Sequence, residues 1–139
     1  MPPKPMGTGG DAKTYYKLGN ENYEKGEFDS AIANYTKAIE LDPKYDKAYY
    51  NRGLAFACKE NYDKAIADIT NVIELKPDFS EAYYILGLAY EYKNIPDKAI
   101  EAYNKALKLN PNFKDAQNRL ELTLSKKEKE GKEPPKAAA

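Results

Sequence analysis

One spacing constrains this chain more than any other feature. Gly53 has counterparts 34 residues to either side, at Gly19 and Gly87. Ala65 shares that register with Ala31 and Ala99, Pro77 with Pro43 and Pro111, and Leu75 with Leu41 and Leu109. The pair Tyr49-Tyr50 returns as Tyr15-Tyr16 and Tyr83-Tyr84, and no insertion breaks the phase. A fixed period of roughly 20–50 residues marks units that cannot bury their own apolar faces and must stack on copies of themselves.

One period reads as two helices. Between Asp46 and Lys59 the apolar residues Ala48 and Tyr49 return seven residues on as Ala55 and Phe56, which is one helical face. A polar turn follows: Glu60-Asn61 here, Lys25-Gly26 in the first copy and Asn94 in the third. Gly and Asn suit the left-handed conformation that closes a helix. The second face consists of Tyr62, Ala65, Ile66, Ile69, Val72 and Ile73, and Pro77 then stops it for want of an N–H. Gly53 and Ala65, with their copies, leave room for a close helix crossing. Each unit is thus a helical hairpin.

The aromatic…Leu-Gly…Ala…Pro pattern resembles the tetratricopeptide repeat, in three tandem copies covering Ala12 to Phe113. Tyr15, Tyr49 and Tyr83 replace the family's usual Trp. Arg52 stands where Leu18 and Leu86 sit, Asn22 where Phe56 and Tyr90 sit, and Pro96 where Phe28 and Tyr62 sit. Pro96 is harmless if it opens its helix. A pentatricopeptide array would run one residue longer per unit and an ankyrin array one shorter. The resemblance implies an all-α fold, an α-solenoid of stacked antiparallel helical hairpins with a right-handed superhelical course. Hairpins are expected at 12–45, 46–79 and 80–113. A seventh helix is expected over 114–130, with Ala116, Leu120 and Leu124 inward and Gln117, Arg119, Glu121 and the Lys126–Glu130 charges outward, as the polar cap a terminal repeat needs. Residues 1–11, rich in Pro and Gly, read as a flexible leader, and residues 131–139 as a disordered tail.

Composition excludes several functions. With 22 basic and 22 acidic residues in 139, the chain has no net field to attract nucleic acid or an anionic membrane. No apolar run approaches the ~18 residues of a membrane span. Histidine is absent, which removes both the commonest general base and the commonest zinc ligand. The single Cys58 can form no internal disulfide, consistent with a cytoplasmic setting. Gly7-Thr8-Gly9-Gly10 lacks the Lys and the preceding strand of a phosphate loop. The expectation is a chain without cofactor, metal or catalysis.

In the family the first helix of each repeat lines a concave groove, and matching positions carry over one by one. The first copy offers Lys13, Tyr16, Lys17 and Asn20, followed by Tyr23 and Glu24. The second offers Lys47, Tyr50, Asn51 and Leu54, then Ala57 and Cys58; the third offers Glu81, Tyr84, Ile85, Leu88, Glu91 and Tyr92. Leu122 continues the line of Leu54 and Leu88. One end of this row is polar and basic, the other apolar. Tyr16, Tyr50 and Tyr84 also suit a framework role, and Leu54, Ile85 and Leu88 also suit packing on neighbouring helices.

The leading expectation is a protein-interaction module, favoured as a monomer, that binds a peptide or helix of a partner protein. A self-assembling scaffold is an alternative from a different class. Another is the co-chaperone branch, which grips the C-terminal carboxylate of heat-shock proteins with Lys and Asn, then Asn, then Lys and Arg. Asn20 and Asn51 match that clamp, but Tyr16, Glu81 and Ile85 do not, and an anion and a hydrocarbon in place of two cations disfavour a carboxylate.

Overall fold

The computed structural model describes residues 11–132, and every regular element among them is an α-helix. These are α1 (Ala12–Glu24), α2 (Phe28–Leu41), α3 (Asp46–Cys58), α4 (Tyr62–Leu75), α5 (Ser80–Tyr92), α6 (Pro96–Leu109) and α7 (Lys114–Lys132). The chain divides between Pro77 and Asp78 into two compact units, one holding α1 to α4 and the other α5 to α7. Asp11, expected in the leader, caps α1 by accepting the Thr14 N–H at 3.0 Å. The seventh helix runs to Lys132 rather than stopping at Glu130. The rest of the expected leader and tail lies outside the described residues.

The helix ends follow from chemistry repeated in phase. Each second helix stops two residues before its proline, and the residue between is driven out of helical geometry by the proline ring: Asp42 (φ −140°), Lys76 (φ −136°) and Asn110 (φ −138°). Each first helix ends through a residue with positive φ, at Gly26 (75°), Glu60 (60°) and Asn94 (61°). The next N–H reaches back to the last turn at 2.9 Å in all three: Glu27 to Asn22, Asn61 to Phe56 and Ile95 to Tyr90. Pro96 does open α6, where its missing N–H costs nothing.

Within each hairpin the glycine sets how closely the helices cross. A methyl group on Gly19 would lie 2.6 Å from the Tyr35 ring, and one on Gly87 2.4 Å from the Tyr103 ring. Gly53 faces the slimmer Ile69, whose Cδ1 would be 3.1 Å away. Those partners are themselves fully enclosed, together with Ala31, Ala38, Ala48, Ala55, Ala65 and Val72 in the first unit and Ala99, Ala106 and Ala116 in the second. Small residues therefore bring the helices together, and Tyr35, Ile69 and Tyr103 fill the space left between them.

Arg52, the departure from Leu at its register, is matched by a second one. Its guanidinium grips Asp68 of α4 with two bonds of 2.7 and 2.8 Å and donates to Thr36 at 3.0 Å. Asp68 is 3% exposed, and the corresponding residues in the other repeats are Asn34 and Ala102. Burial pushes the Asp68 carboxyl above its ordinary range, and the Arg52 contact offsets only part of that.

Candidate partner-binding surface

In the first unit, α1 and α3 bring the predicted polar positions together. The Asn51 amide donates to Asn20 Oδ1 at 2.9 Å and to the Tyr16 hydroxyl at 3.2 Å. The same Asn20 oxygen accepts the buried Tyr35 hydroxyl at 2.6 Å. Asn20 and Asn51, both half-buried, thus tie α1, α2 and α3 together. Tyr16 packs on Tyr45 (centroids 5.0 Å apart) and Tyr35 (6.0 Å). Lys13, Lys17 and Lys47 are exposed, while Tyr50 and Leu54 are half-buried. Cys58 is exposed, 3.7 Å from the Tyr23 hydroxyl. Burial, then the Cys58 contact, push the Tyr23 hydroxyl up to about 12.

In the second unit the matching face is built by α5 and α7. Tyr84 packs on Phe113 and Tyr103 at 5.0 and 6.0 Å, reproducing the rings around Tyr16. Its role is therefore partly framework. Ile85 and Leu88 are half-buried, whereas Tyr92 is 65% exposed and Leu122 51% exposed.

The expectation for Arg119 fails here. Instead of covering α7 toward solvent, it is half-buried and holds both oxygens of Glu91, at 3.1 Å through Nε and 2.8 Å through Nη2. Glu91 also accepts the hydroxyl of the fully buried Tyr103. Burial pushes the Glu91 carboxyl up, but bonds from Tyr103, Arg119 and Thr123, with the Arg119 charge, together hold it below its usual value. A sequence signal for Arg119 existed: it lies 34 residues beyond Ile85, on the same inward register as Asn51.

Among the described residues no group of His, Cys, Asp or Glu could hold a metal, and no helix is long and apolar enough to cross a membrane.

Comparison with known proteins follows the same register. The "TPR repeat" family model matches residues 19–59, and the "Tetratricopeptide repeat" model matches residues 46–79 and 80–113. Among solved structures, MamA is 34% identical with a TM-score of 0.81, over 84% of this chain and 68% of that one. The first TPR of Spaghetti (RPAP3), bound to the HSP90 peptide SRMEEVD, is 27% identical with a TM-score of 0.80, over 83% and 91%. The TPR domain of Arabidopsis OM64 is 26% identical with a TM-score of 0.77, over 81% and 93%. No curated protein sequence matches the chain.

Proposed function

The chain belongs to the tetratricopeptide repeat family, and on that premise we propose that it is a non-catalytic interaction module whose α5–α7 face receives a segment of a partner protein. The observation that carries this reading is the exposure of Tyr92 and Leu122 beside half-buried Ile85 and Leu88, on a helix pair already fixed by the Glu91–Arg119 bonds. Clustered apolar exposure on a soluble domain marks contact surface, and tyrosine adds area at low entropic cost. Such recognition typically has micromolar affinity, about −8 kcal/mol. The proposed setting is cytoplasmic and the proposed state monomeric. Leu88→Glu is expected to abolish capture of the partner while helical content by circular dichroism stays unchanged. Capture at full strength by that variant rejects the face.

A second reading is favoured by the HSP90 peptide in the Spaghetti structure and by Asn20 and Asn51 here. It is capture of an acidic C-terminal carboxylate on the α1–α3 face. Glu81 and Ile85, where the clamp needs cations, weigh against it. Titration with SRMEEVD and its C-terminal amide decides the matter: this reading requires the amide to bind much more weakly.

A further inference from the structure

The side of α5 opposite Tyr84, Leu88 and Tyr92 carries a feature that the proposed function does not use. Tyr83, Leu86 and Tyr90 follow one another at three- and four-residue steps, so they share one stripe. Together with α6 they line an open pocket of about 660 Å³. That lies within the ~300–1,000 Å³ of sites that hold small ligands or side-chain anchors.

The second repeat shows what this register holds when it is occupied from within. There Arg52 lies 5.7 Å from the Tyr49 ring centroid and 5.9 Å from that of Phe56, with its guanidinium bonded to Asp68. In the third repeat Tyr83 and Tyr90 keep the two rings, but Leu86 replaces Arg52 and Ala102 replaces Asp68. The cation and the carboxylate are both gone and the pocket is open. The remaining lining is cationic: Lys98 lies 5.4 Å from the Tyr90 centroid and Lys105 6.0 Å from that of Tyr83, with Lys108 beyond them and Glu101 the one carboxylate in the lining.

We propose that this α5–α6 pocket is a second binding site, which takes an acidic peptide segment of a partner protein by an apolar anchor. The anchor packs on Leu86 and Ala102 between the two tyrosine rings. Flanking carboxylates meet Lys98, Lys105 and Lys108. Charge complementarity selects this occupant: three ammonium groups against one carboxylate favour an anion and repel a basic segment. The rings accept the anchor without new polar groups having to be satisfied.

The test is a titration of the ¹⁵N-labelled full chain with acetyl-Glu-Asp-Phe-Leu-Asp-Glu-amide, both ends blocked so that no terminal carboxylate contributes. The control is acetyl-Lys-Lys-Phe-Leu-Lys-Lys-amide. The acidic peptide is expected to shift the amides of Leu86, Ala102 and Lys105, and to weaken as salt rises. The double variant Leu86→Arg/Ala102→Asp, which transplants the internal pair of the second repeat, should bind at least about tenfold more weakly. Lys105→Glu/Lys108→Glu should do the same without touching buried residues, and covers the case in which the first variant does not fold. Leu88→Glu should leave this binding unchanged, which separates it from the proposed function. The proposal is overturned by no shifts at about 1 mM peptide. It is equally overturned by equal binding of the basic peptide, by shifts confined to Ile85, Leu88 and Tyr92, or by full affinity of the charge-reversed variant.

Discussion

Two registers show how much of the fold rests on single positions. At the end of each first helix the backbone is left-handed, and Gly26 and Asn94 take that shape readily; Glu60 does not. Left-handed geometry costs a residue with a Cβ about 1–2 kcal/mol, and the greater freedom of unfolded glycine returns part of that, so Glu60→Gly should stabilise the protein by about 0.5–1 kcal/mol. A higher urea midpoint at unchanged slope is the expected readout. The crossing glycines are not equivalent either. Gly87→Ala drives a methyl into the rigid Tyr103 ring and should cost about 1–3 kcal/mol. Gly53→Ala meets Ile69 Cδ1 at 3.1 Å and Ile69 Cγ1 and Asp68 Cβ at 3.3 Å, contacts that a small shift relieves, and gains about 1 kcal/mol of helix propensity, so it should fall near wild type. Equal losses at the two sites would show that the size of the facing side chain does not set the crossing. The need for a small residue at Gly53 was legible from its register. The difference between these glycines was not, because it depends on which side chain lies opposite.

At the scale of helices, the same problem is solved differently in different repeats. A buried tyrosine hydroxyl needs an acceptor. Tyr35 of α2 finds Asn20 on α1, but the residue in that register in the third repeat is Leu88, which cannot accept. Tyr103 of α6 turns instead to Glu91, and Glu91 recruits Arg119 from α7. Helix boundaries were legible from the sequence because prolines and turn residues recur in phase. The cross-helix bonds were not, because Arg52, Asp68, Glu91 and Arg119 each depart from the repeat and make sense only with their partners. The Glu91 cluster has a pH signature. Its carboxyl is held below the ordinary value near 4.5, so the folded state releases this proton more readily than the unfolded chain. The stabilisation is complete above about pH 5 and is lost as pH falls through the folded value. Glu91→Gln keeps an acceptor but removes the charge, so it should cost about 1.5–3 kcal/mol at pH 7. The gap between variant and wild type should close as pH falls through the folded value. A gap independent of pH would mean that packing, not charge, ties α5 to α7.

For the whole chain, the period implies that stability is close to a sum of neighbour terms rather than the property of one central core. The expectation of a seventh helix rested on that logic, since an array must end on a helix with a polar back. The structure gives α7 a further task that the logic does not contain. It buries Ala116 and Thr123 on one side and, through Arg119, fixes Glu91, which in turn holds Tyr103. Deleting residues 114–139 therefore does more than expose an apolar flank. It leaves a carboxylate beside a buried hydroxyl with its cation removed, at a cost of about 1–3 kcal/mol on top of the lost packing. In a nearest-neighbour array this loss should be felt in α5 and α6 and fade with distance. Amide exchange in α5 and α6 should accelerate roughly 10- to 100-fold, while α1 and α2 keep their protection. If protection fell equally everywhere, the repeats would be unfolding as one cooperative body, and the 34-residue period would describe the ancestry of the chain but not its energetics.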